Sequence, residues 1–77
     1  MAARRAPHAY LYAPCLDAKV AALAGLPRET ALAKVRTMNL MQVRVLAVET
    51  PVTYERVPER LTLIVSAAGT VRRAFCR

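Results

Sequence analysis

The chain has 77 residues, 56% of them apolar, and a formal net charge of +7. That length holds one domain with no room for a second core, and the apolar fraction excludes a disordered chain. No stretch is long enough to span a membrane. The positive charge raises nucleic acid as a partner, but the basic residues form no row at helical spacing and bring no aromatic stacking platform. The charge therefore reads as a solvated surface, or as steering toward an acidic partner.

Residues 1–13 read as a flexible tail, with Tyr10-Leu11-Tyr12 able to add a short edge strand. A secretory leader would carry an apolar run of about 7–15 residues after its positive start. Here Arg4 and Arg5 are followed by the short, polar run Ala6-Pro7-His8-Ala9-Tyr10. Either a leader has been removed and Met1 added, or the chain is cytoplasmic. The first is favoured, which places the protein outside the cytoplasm, periplasmic or secreted.

Cys15 and Cys76 stand near the two ends of the domain, residues 14–77. The placement fits a staple worth up to about 4 kcal/mol on the chain-entropy model; two unrelated thiols are the alternative. With His8 the sole histidine, these cysteines cannot make a zinc site. No metal and no cofactor is implied.

After Cys15, Asp17 to Leu23 suits one or two helical turns ending at Gly25, a residue that accepts positive φ without a Cβ clash. Pro27 suits the first turn of a second helix over 27–38. Glu29 at its start and Lys34 and Arg36 near its end match the helix dipole, and Ala31, Leu32 and Val35 share an apolar face. Val43 to Val48 is rich in β-branched residues and reads as a buried strand. Leu61 to Val65 is a second strand and Val71 to Cys76 a third, the last two joined by Ser66-Ala67-Ala68-Gly69 with Gly69 at a left-handed turn position. Between the first two strands, Glu49 to Arg60 contains Pro51 and Pro58 but no glycine, so it is an extended loop stiffened at both shoulders. The sum is a small α+β domain. Glu55 and Glu59 are four apart and imitate a catalytic carboxylate pair, but so short a chain supplies neither pocket nor partner residues, and an enzyme is not expected.

The run Val45-Leu46-Ala47-Val48-Glu49-Thr50-Pro51-Val52-Thr53-Tyr54-Glu55, continuing through Pro58-Glu59-Arg60-Leu61-Thr62-Leu63-Ile64-Val65, resembles the potato inhibitor I family of serine-protease inhibitors. That family has a strand ending in Val-Leu, a Gly-Thr-x-Val-Thr-x-(Glu/Asp) loop, and an (Asp/Glu)-Arg pair leading into the next strand. Cys15, Cys76 and the Ala-Ala-Gly turn look closer still to a bacterial and fungal branch that ties its termini with one disulfide and includes elastase inhibitors. The resemblance covers about residues 14–76. It implies one main helix packed on a small mixed sheet, an extended protease-binding loop, and a Cys15–Cys76 disulfide.

By the same resemblance the reactive bond lies between Tyr54 and Glu55. Tyr54 enters the protease's primary pocket, and Thr50, Pro51, Val52, Thr53, Arg56 and Val57 complete the binding loop. Arg60 braces the loop from inside through the Glu55 carboxylate and the carbonyls flanking the bond. An aromatic entering residue implies subtilisin-like or chymotrypsin-like serine proteases as partners rather than trypsin-like ones, and suits elastase less well. The chain is expected to act as a monomer.

Four residues depart from the family pattern. Glu49 replaces the usual glycine, which would cost roughly 1 kcal/mol or more if that position needs positive φ. Arg56 and Val57 stand where an aromatic residue and an arginine are usual. Thr62 replaces a second supporting arginine, which leaves Arg60 as the main brace. The rival expectations are a noninhibitory interaction domain on the same fold and a basic nucleic-acid-binding module.

Overall fold

The computed structural model describes residues 12–51 and 55–77. In chain order these form α1 (Asp17–Val20), a single 3-10 turn (Ala21–Leu23), α2 (Arg28–Arg36), β1 (Gln42–Ala47), β2 (Arg60–Val65) and β3 (Val71–Cys76). The sheet order is β1-β2-β3, with β1 parallel to β2 and β2 antiparallel to β3. This is the small α+β domain that the residue pattern implies, with the mixed sheet that the resemblance implies.

The helical segments are short, and each boundary has a local cause. Gly25 has φ +92 and ends the first segment, its N–H donating to the Val71 carbonyl at 2.7 Å. Pro27 lies just outside α2, at the N-cap with an extended backbone (φ −61, ψ 147), rather than in the first turn. It bridges to Thr70 between two main-chain bonds, Arg28 N–H to Gly69 O and Val71 N–H to Leu26 O. That pairing with the start of β3 holds Pro27 out of the helix. The other end is set by Asn39, whose φ of +54 is the left-handed turn that asparagine tolerates best after glycine.

The two faces of β2 carry different chemistry. Leu61, Leu63 and Val65 point to one side and, with Val71, pack against Val20, Leu23, Ala31 and Val35. Each fully buried aliphatic side chain there contributes about 1.5–3 kcal/mol. Thr62 and Ile64 point to the other side, where Arg44 and Leu46 of β1 and Phe75 and Arg73 of β3 are their register partners. A bulge opposes Val65 to Val71 but Ile64 to Arg73, so Arg72 is the extra residue.

A second expectation also fails. β1 is an edge strand rather than a buried one: Val43 and Val45 remain 41% and 37% exposed. A β-branched run reports fitness for a pleated ladder, not depth, and the short helical layer covers β2 and β3 first.

The disulfide joins Cys15 to Cys76 with Cα atoms 5.7 Å apart across a sequence separation of 61. Asp17 adds a second tie, its Oδ1 accepting the Cys76 N–H at 2.8 Å. Together they fasten the start of α1 and the residue two before it to the end of β3.

The parallel pairing of β1 and β2 dictates the shape of what joins them. Gln42 pairs with Arg60 and Ala47 with Val65, so the chain leaving Ala47 must travel back along the sheet before β2 begins. Parallel crossovers of this kind are usually helical. Here the glycine-free segment spends its residues on the return journey, covering about 17 Å of strand length.

Candidate functional site

The site is the β1–β2 connection and the polar face beneath it. Its leading arm departs smoothly from the sheet: Val48 N–H donates to Val65 O at 3.2 Å, extending the ladder, and Thr50 N–H donates to Ala47 O at 3.0 Å. Glu49 sits inside that turn. Asn39 is the one non-glycine residue with positive φ among those described, so the strain anticipated for a glutamate at this position does not arise. Thr50 and Pro51 are exposed; Val52, Thr53 and Tyr54 lie outside the described residues.

On the trailing arm Glu55 and Arg56 are exposed and Val57 is half-buried. Pro58 and Glu59 make a turn closed by Arg60 N–H to Val57 O at 2.9 Å, which delivers Arg60 to the first position of β2. Its side chain is only 13% exposed and its Nη2 donates to Glu55 Oε1 at 3.2 Å. With Glu55 itself 57% exposed, the pair contributes on the order of 1 kcal/mol or less to stability. Its more consequential effect is geometric, since a fork-shaped donor fixes the direction of the arm it holds.

The same arginine reaches the opposite way. Arg60 Nε donates to the Arg77 carbonyl at 3.1 Å, while Arg77 N–H donates to Arg60 O at 2.7 Å. Thr62 is fully buried, and its hydroxyl donates to that same Arg77 carbonyl at 2.9 Å. In turn the hydroxyl accepts from Arg44 Nε at 3.2 Å and Nη2 at 3.1 Å. A longer contact, 3.4 Å, joins Arg44 Nη2 directly to Arg77 O. A buried hydroxyl left without partners would cost about 1–3 kcal/mol; Thr62 is satisfied as both donor and acceptor. The network therefore runs from Arg44 on β1, through Thr62 on β2 and the Arg77 carbonyl just past β3, to Arg60 and Glu55.

Sequence reasoning missed Arg44, and it missed Arg77 as the common acceptor. Thr62 looked like a lost brace, yet it recruits an arginine from the neighbouring strand instead. The available signal was an arginine alternating with Val43 and Val45, and so on the opposite face of the strand from them. Only the strand register, Arg44 opposite Thr62, shows where it goes.

Other chemistry is sparse. No group of three or more metal-ligating side chains and no membrane-spanning helix is found among the described residues. No family model matches the chain, and no curated protein matches it. Among solved structures the chain is similar to the elastase inhibitor AFUEI, with 27% identity, a TM-score of 0.57, and coverage of 71% of this chain and 78% of that one. The likeness supports an inhibitor-like small α+β fold.

Proposed function

We propose that the protein is a serine-protease inhibitor that presents Tyr54–Glu55 as a substrate-like reactive bond. The observation that carries this reading is the half-buried side chain of Arg60, fixed from below by the Arg77 carbonyl and joined above to Glu55. It occurs in a fold shared with an elastase inhibitor. A segment held extended before the enzyme arrives loses little entropy on docking. Pro51 and Pro58 restrict its two arms, and Val52 and Thr53 add β-branched stiffness and main-chain groups that pair with the enzyme as a strand.

Slow hydrolysis follows from the same support. Once the bond is cut, the new amine at Glu55 stays beside the acyl group because Arg60 holds its side chain. Religation then competes effectively with attack by water. Arg44 and Thr62 act through Arg60 and are positioning residues. The bulk of Tyr54 fits the pockets of subtilisin-like and chymotrypsin-like enzymes better than the small pocket of an elastase. The disulfide fits an extracytoplasmic site of action.

The test is inhibition of a subtilisin, a chymotrypsin and an elastase by the protein and its Tyr54→Gly variant. Tight inhibition of the first two is expected, with slow turnover, weaker action on elastase, and a loss of about 100-fold in the variant. No inhibition, or rapid cleavage after Tyr54, would overturn the reading and leave a noninhibitory interaction domain on the same fold.

A further inference from the structure

The loop side of the molecule gathers arginines that the sequence scatters. Arg44 and Arg60 are committed to the internal network, but Arg56, Arg73 and Arg77 line a cleft of about 560 Å³ under the trailing arm. We propose that this cleft docks an acidic segment on the rim of the target protease, on the side of the catalytic centre that follows the cleaved bond. The proposal rests on the inhibitor reading above and names the kind of partner it implies.

Three observations support it. The first is charge balance. The described lining includes three arginines and one acid, Asp17, whose Oδ1 already accepts the Cys76 N–H. Among the described residues the ion pairs are Arg28–Glu29 and Glu55–Arg60, so the cleft's guanidiniums face no carboxylate at ion-pair distance. The second is preorganisation. Arg73 Cζ stands 5.0 Å from the centroid of the Phe75 ring, a cation–π contact that fixes one cation over an apolar floor. Val57 and Pro58 continue that floor, which suits the methylene stems of glutamate or aspartate side chains. The third is continuity. Arg56 immediately follows Glu55 and lines the cleft, which on the inhibitor reading begins two residues beyond Tyr54.

Exposed charges of this kind act mainly on the rate of encounter and the choice of partner. The test therefore measures association and dissociation rates against a subtilisin and against the same enzyme with two glutamates introduced on the rim facing the trailing arm. The inhibitors compared include the native chain, the pair Arg56→Glu with Arg73→Glu, and the pair Lys34→Glu with Arg36→Glu. The last makes the same change in net charge on α2, across the sheet from the loop. A milder pair, Arg56→Gln with Arg73→Gln, guards against misfolding of the reversed one.

The added glutamates are expected to speed association of the native chain about tenfold near ~20 mM salt, an advantage that fades by ~300 mM as screening shortens. The cleft reversal should abolish or invert that gain, the glutamine pair should remove about half of it, and the α2 reversal should retain most. Equal effects of the two reversals would show net charge alone and overturn the proposal. So would retention of the native chain on a single-stranded oligonucleotide that the cleft reversal alone abolishes, because it would assign the cleft to phosphate. Inhibition of both enzymes with no coupling to the glutamates would sink the cleft while leaving the inhibitor reading intact. Failure to inhibit either enzyme would remove both.

Discussion

The two faces of β2 are built from alternate residues of one six-residue strand, yet they obey different rules. On the helix side, Leu61, Leu63 and Val65 contribute through area removed from water, and their neighbours are interchangeable aliphatic groups. On the loop side, Thr62 and the guanidiniums of Arg44 and Arg60 contribute through direction, their donors aimed at particular acceptors. The first face decides whether the domain folds. The second decides what shape the loop keeps once it has folded. Because the side-chain period is 2, one strand serves both without compromise.

Substitutions can break this division or sharpen it. The largest effect belongs to Leu63→Ala, which opens a cavity in the apolar layer. It should cost about 2–5 kcal/mol in urea unfolding, while the loop of the remaining folded fraction is hydrolysed at the native rate. Removing the staple with Cys15→Ser and Cys76→Ser should cost about 2–4 kcal/mol, read from the same unfolding curves. It should also raise loop hydrolysis, since it frees the chain next to Arg77. Arg60→Gln inverts the pattern: stability should change by about 1 kcal/mol or less, whereas hydrolysis of the reactive bond by subtilisin rises about tenfold. A large loss of stability with unchanged hydrolysis would show that Arg60 belongs to the core and not to the loop.

The smallest expected effect is Arg44→Gln, with a rise in hydrolysis of about threefold and little change in melting temperature. Combined with Thr62→Val, it should be non-additive by about 0.5 kcal/mol or more, as for residues in one hydrogen-bonded network. Strict additivity would remove Arg44 from the loop's support.

Much of the fold was legible. Gly25 and Gly69 mark their turns by the positive φ that only glycine adopts cheaply, and the charges of α2 sort themselves along its dipole. The site was legible along the chain, where Arg60 follows Glu55 across a proline turn, but not across it. Arg44 meets Thr62 only because two strands pair in a particular parallel register. Register is fixed by the whole core, which no local pattern encodes. Depth was equally hidden: Val43 and Val45 look like core residues until the number of strands and the reach of the helices are known. The harmlessness of Glu49 is similar, since whether a turn needs positive φ depends on how the strand before it ends.

The disulfide between Cys15 and Cys76 gives the molecule a ring topology, with the proposed reactive bond in the ring. A protease that cuts between Tyr54 and Glu55 opens that ring without dividing the molecule, and the severed ends remain tethered through the sulfur atoms. Under oxidising conditions the product of cleavage is thus two segments in one covalent molecule, one water heavier than its parent. Under reducing conditions the same cut frees the β2–β3 hairpin as a separate peptide, and the step back becomes bimolecular.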